Sequence, residues 1–131
     1  VGHVGNTRAL GRNYFQAEYF NVLRRSKIVV HCNPFPWEGD YRLLEAIAGG
    51  ALVFSDAMAL PIKNPFINEF HLMLYGLSNN RNIIQKLRYF LTHEEDRLQL
   101  AQNGYDHAFK HHRPQDRIQE AIEAMFPQNQ S

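Results

Sequence analysis

Apolar residues fall into two kinds of spacing along this chain. Phe15, Tyr19, Val22 and Leu23 recur at helical intervals, predicting an amphipathic helix over roughly 12–25. Arg24, Arg25 and Lys27 at its far end suit the negative pole of the helix dipole. Ile28, Val29, Val30, His31 and Cys32 then run without polar alternation, the pattern of a central parallel strand covered on both faces. Pro34 and Pro36 cannot donate to a ladder, so Asn33 to Trp37 reads as a loop. Helix is predicted again from about Asp40 to Ala48, with Gly49-Gly50 ending it. Ala51 to Phe54 is the next short strand, and Phe70 to Tyr75 a third. Pro61 and Pro65 keep 57–68 mostly irregular, and Val1 to Asn6 reads as the end of a strand entering a loop.

Three or four helices close the chain. Ile83, Ile84, Leu87, Phe90 and Leu91 form one apolar stripe. Thr92-His93-Glu94-Glu95 carries a capping-box pattern, and Gly104 stands where the following helix would stop. Tyr105 to His112 then reads as a short separate helix, broken by Pro114. Ile118, Ile122 and Met125 give a last helix, and 127–131 is a polar tail. Strands alternating with helices imply an α/β fold: a Rossmann-like parallel sheet flanked by helices, joined by right-handed crossovers. The helix-rich C-terminus exceeds what such a sheet needs and suggests a brace against a neighbouring domain.

The bulk numbers fit one domain over 1–131. At 131 residues, 44% hydrophobic and 21% charged, the chain can bury a core and is not a disordered composition. Fourteen basic against 13 acidic residues give a net charge of +1, which argues against a nucleic-acid-binding surface and leaves room for a local anion site. Cys32 is the lone cysteine, so no intrachain disulfide exists; a reducing, cytoplasmic setting is the expectation. No apolar run approaches the roughly 20 residues of a membrane span. The start at Val1 rather than Met reads as a piece of a longer chain, with a targeting segment or second domain upstream.

Three segments carry a family resemblance: Ser26 to Val30, Gly39 to Ala46 (Gly-Asp-Tyr-Arg-Leu-Leu-Glu-Ala), and Gly49 to Asp56. Together they resemble the C-terminal, nucleotide-sugar-binding domain of GT-B-fold glycosyltransferases, in particular the spore-maturation-type group. Leu87 to His93, Arg97, Ala101, Gly104, His112 and Arg117 continue the pattern in the same order. The resemblance implies an incomplete copy of that domain. Its donor would be a nucleotide diphosphate sugar and its acceptor a hydroxyl of a glycan, protein or small molecule. A second GT-B domain would lie upstream, and neither metal nor other cofactor would be needed.

The chemistry suits the assignment. A carboxylate at Glu45 can accept two hydrogen bonds from the vicinal diol of ribose. A diphosphate ahead of the second helix meets the free amides of Gly39 to Tyr41 and the positive helix end. Gly39 permits close backbone approach, and Arg42 offers a fork of donors. Donor-binding residues are therefore expected at Glu45, Arg42, Gly39, Tyr41 and Asp40, with no catalytic residue assigned. Asp40 fits a helix N-cap better than a phosphate contact, since its carboxylate would be repelled. Glu38 and Glu45 are separated by six residues rather than the family's seven, so Glu38 takes no role.

Plainer readings stand beside these. Arg42 is balanced between a phosphate contact and a surface ion pair. Trp37 suits burial against its loop, Asn33 a backbone bond in the turn, and Cys32 a small core residue. His31 reads as a core or rim histidine, and Ser55-Asp56 as a turn at the ligand-facing strand end. His107 and His111 have metal-compatible spacing but no third ligand in the pattern. The competing functions are a non-catalytic module that kept the fold, and a receiver-like signalling domain, for which only Asp56 fits the required acidic cluster.

Overall fold

The computed structural model describes residues 16–33, 41–57, 63–76 and 80–126. In chain order these form α1 (Gln16–Arg25), β1 (Ile28–His31), α2 (Tyr41–Ala48), β2 (Leu52–Asp56), β3 (Met73–Tyr75), α3 (Asn80–Thr92), α4 (Glu94–His111) and α5 (Pro114–Met125). The three strands are parallel in the order β1-β2-β3, with Val29 opposite Val53 and Phe54 opposite Met73.

The doubly covered strand is β2, not β1, contrary to the reading of the apolar run at 28–32. Leu52, Val53, Phe54 and Ser55 are all buried, whereas Val30 of β1 is 54% exposed. The side-chain alternation of β2 sends successive residues into two cores. Val53 packs with Leu23, Leu43, Ala46 and Ile47 of α1 and α2. Leu52 and Phe54 pack with Met73, Phe90 and Ala101 beside α3 and α4. Helix α4 serves both layers, with Ala101 in one core and Ala108 in the other.

Several local expectations need correction. The third strand begins only at Met73, because Glu69 takes a left-handed backbone (φ 61°) and the chain turns through Phe70 and His71 before pairing. Gly104 lies inside α4, which runs unbroken from Glu94 to His111. The Thr92 capping box does not form: the N-cap is His93, without a side-chain cap bond, and Thr92 Oγ1 donates instead to the Tyr89 carbonyl at 2.9 Å. Cys32 is exposed rather than a core residue. Gly50 closes α2 in the left-handed region (φ 82°), as a helix-ending glycine does.

The segment before β3 is fastened to the C-terminal helices by aromatic rings. His107 and His112 each donate Nε2–H to the Asn64 carbonyl at 2.9 Å. His112 also stacks on Phe66 (4.6 Å between centroids), and His107 on His71 (4.1 Å). Asn64 itself sits at φ 55°, a conformation asparagine tolerates better than most residues. His107 and His111 thus belong to a ring cluster, and among the described residues no group of three histidine, cysteine or acidic side chains is arranged to hold a metal ion.

Candidate functional site

In a parallel α/β sheet, ligands meet the carboxyl ends of the strands. Here that rim is made by His31 at the end of β1 with Cys32 and Asn33 after it, Ser55 and Asp56 at the end of β2, and Tyr75 at the end of β3. Three hydrogen bonds tie the strand ends together. The Asp56 carboxylate accepts from both the backbone N–H of Asn33 (2.9 Å) and its side-chain Nδ2 (2.8 Å). The Tyr75 hydroxyl reaches past β2 to donate to the His31 carbonyl at 2.7 Å. The buried His31 ring meets Ser55 Oγ through Nδ1 at 3.2 Å, which makes it the satisfied rim histidine that its apolar surroundings predicted.

The phenol of Tyr75 is held above its ordinary titration range. Burial disfavours the phenolate most, and the nearby Asp56 carboxylate and Cys32 add to the effect. Tyr75 therefore acts at neutral pH as a donor. Asn33 bonds across the rim to Asp56, rather than only to backbone in its own turn. One atom there is left wanting: Asn33 Oδ1 is buried and has no hydrogen-bond partner.

Helix α2 follows β1, so the direction of the chain aims its N-terminus toward the same rim. Its eight residues show an amphipathic split: Leu43, Ala46 and Ile47 are buried, while Tyr41 and Arg42 are exposed. The Arg42 guanidinium lies 5.5 Å from the centre of the Tyr41 ring, a cation–π distance that holds the two side chains together. Glu45 is half-buried one turn on, and its Oε2 accepts the Tyr19 hydroxyl of α1 at 2.7 Å. Arg42 and Tyr41 are thus brought together, and Glu45 is tied to α1. Gly39 and Asp40, and with them the expected close approach and N-cap, lie outside the described residues, as do Glu38 and Trp37.

Tyr19, Tyr75 and the pairing of Asn33 with Asp56 were not singled out as partners from the sequence. Tyr19 carried only a core signal at helical spacing, and Tyr75 only a strand signal. Asp56 was visible at a strand end, but nothing in the chain pattern joins it to a residue 23 positions earlier. Among the described residues, cavities of about 370 and 150 Å³ flank α3, sharing Lys86 in their walls; Tyr41, Arg42 and Glu45 line neither of these two.

The glycosyl transferase-like family model matches residues 3–123 of the chain. Among solved structures, the chain is similar to the C-terminal domain of a glycosyl transferase group 1 family protein (LpcC) from Francisella tularensis. Sequence identity is 20% and the TM-score 0.58, over 87% of this chain and 53% of that one. At that identity the likeness is one of fold: the α/β, Rossmann-like architecture is shared. The chain spans about half the length of that structure. No curated protein matches the chain.

Proposed function

The chain belongs to the glycosyl transferase-like family, and from that premise we propose that it supplies the donor half of a GT-B glycosyltransferase of the spore-maturation-type group. The reaction would transfer a hexose-like sugar from a nucleotide diphosphate sugar to an acceptor hydroxyl. The acceptor oxygen bonds to the anomeric carbon, the bond from that carbon to the diphosphate breaks, and the nucleoside diphosphate departs.

The observation that supports this reading is the setting of Glu45. A half-buried carboxylate, fixed by the Tyr19 hydroxyl, stands on the helix that follows a parallel strand's carboxyl end. On this reading Glu45 accepts the ribose hydroxyls. The first amides of α2, reached through Gly39 and Tyr41, cradle the diphosphate, with Asp40 as the cap of that helix end, and Arg42 neutralises charge on the leaving group. Such fixed donors act without a metal, so activity insensitive to chelation is expected.

The rest of the active site would come from a second GT-B domain upstream, which would also bring the acceptor and the base. Ile118, Ile122, Met125 and Phe126 of the last helix and its cap stand exposed, and such a domain is a natural cover for them. No described helix is long and apolar enough to cross a membrane, and we place the reaction in the cytoplasm on the strength of the lone cysteine.

Calorimetry with a panel of nucleoside diphosphates tests the proposal. Micromolar binding that Glu45→Ala abolishes supports the donor site. A well-folded protein that binds none of the panel is instead a non-catalytic module that retained the fold.

A further inference from the structure

We infer that Asp56 is a positioning residue for the donor site, acting through Asn33. The inference rests on the donor reading given above and deepens it. Asp56 ends the central strand, directly after four fully buried residues, so it is anchored to the best-covered part of the sheet. Asn33 is the first position after β1 on which the rim can take hold: Cys32 is exposed, and Asn33 offers two donors. Both donors converge on the one oxygen, Asp56 Oδ1, at 2.9 and 2.8 Å. A charged acceptor taking two N–H groups of one residue fixes both the backbone and the side chain of that residue.

The arrangement fixes the amide of Asn33 in one orientation, since a flip would set its oxygen against the carboxylate. In that orientation Oδ1 is buried without a donor. An alanine or glycine at 33 would keep the backbone bond to Asp56 and bury no such acceptor. They would also lose the Nδ2 bond to the carboxylate, an effect of similar size and opposite sign, so stability favours asparagine little; a function that needs the chain held at this point favours it more. That point is where the connection to α2 departs, and α2 carries Glu45 and Arg42. Loosening it blurs the position of the helix tip relative to the rim. Ser55 Oγ lies 3.4 Å from the same carboxylate oxygen and joins His31 to the network, so the clamp is braced from β2 and β1 alike.

The test combines two measurements on the intact protein, with Asp56→Ala, Asp56→Asn, Asn33→Ala and the Asp56→Ala/Asn33→Ala double variant. Calorimetry with UDP and GDP reads donor-site affinity, and hydrogen exchange reads protection at the Asn33 amide and through α2. Asp56→Ala should weaken nucleotide binding roughly tenfold and speed exchange at Asn33 and in α2. The double variant should be little worse than Asp56→Ala alone, because the two residues share one interaction. Asp56→Asn, which keeps the acceptor oxygen, should recover most of the affinity, an outcome a general loss of fold would not give.

Unchanged nucleotide affinity in Asp56→Ala, with a wild type that binds, overturns the positioning role and leaves the donor reading intact. Unchanged exchange at Asn33 and α2 overturns it in the same way. A folded wild type that binds neither nucleotide removes the donor reading and this role with it. Should Asp56→Ala fail to fold, Asn33→Ala carries the test: affinity equal to wild type sinks the inference.

Discussion

Gly104 in α4 lies against the carbonyl of His71: a Cβ built on that glycine would stand 2.3 Å from the His71 oxygen. The helix can pass the turn before β3 only because position 104 has no side chain. Glycine inside a helix normally costs about 1 kcal/mol relative to alanine. Gly104→Ala recovers that propensity but drives a methyl into backbone that cannot swing away. The expected net result is destabilisation by about 1–3 kcal/mol in urea unfolding. A variant as stable as wild type would show that the approach is not so close.

That contact also marks where the sequence stopped being legible. A lone glycine in a helical pattern ends a helix or admits a neighbour, and the sequence offers no sight of the neighbour. The β1–α2–β2 unit was readable because each part carries a local signal: an apolar run, an amphipathic turn, a glycine pair. The choice of β2 as the covered strand was not. Ile28 to Val30 and Leu52 to Phe54 are equally apolar, and what differs is whether another element lies over Val30. Likewise His107 and His111 announced themselves by spacing, but Asn64, Phe66, His71 and His112 join them only through the tertiary fold. The pairing of Tyr19 with Glu45 crosses between two helices and leaves no periodic trace.

Acid should loosen the ring cluster. His112 is held down to about 4, chiefly by burial and then by the positive Arg117, whose guanidinium donates to its Nδ1; the Asn64 carbonyl and the neighbouring His107 and His111 modify this. His71 is lowered too, by burial and then by His107 and His111. In the unfolded chain these rings titrate near 6.5. Between 6.5 and about 4 the unfolded state therefore binds more protons, and stability falls as pH drops through that window. Above 6.5 the contribution is complete. For His112 it is on the order of 2–3 kcal/mol. Urea unfolding from pH 7.5 to 4.5 should show the decline, and His112→Gln should flatten it; a flat wild-type profile contradicts the assignment.

Arg97 is a buried cation with an exposed partner. Its side chain is 6% accessible, while that of Glu94, which it meets at 2.8 Å, is 61% accessible. A second bond, from Nη1 to the Lys27 carbonyl at 3.4 Å, links α4 to the turn before β1. The screened ion pair is worth little, so the long stem and the tie to Lys27 should dominate. Arg97→Ala is expected to cost about 2–3 kcal/mol. Arg97→Met, which keeps most of the stem, should recover more than half of that. Equal losses for the two variants in denaturant midpoints would show that charge, rather than packing, holds this corner.

The bond from Tyr19 to Glu45 separates a ligand-facing carboxylate from a merely structural one. A carboxylate that grips a diol must present its oxygens at a fixed angle, and one phenol hydroxyl on Oε2 supplies that restraint at 2.7 Å. Tyr19 is 36% exposed and Glu45 only half-buried, so the bond itself contributes little to folding. Tyr19→Phe should therefore leave the unfolding temperature within about 2–3 °C of wild type, since an exposed hydrogen bond of this kind is worth well under ~1 kcal/mol. If Glu45 holds ribose, the same variant should weaken nucleoside diphosphate binding about three- to tenfold, the equivalent of ~0.7–1.4 kcal/mol of lost preorganisation. Glu45→Gln should lose more, because a neutral amide accepts weaker bonds from the diol. A Tyr19→Phe protein with unaltered nucleotide affinity would mean that the phenol does not orient the carboxylate for a donor; unaltered affinity in Glu45→Gln as well would mean that Glu45 braces α1 against α2 without touching one.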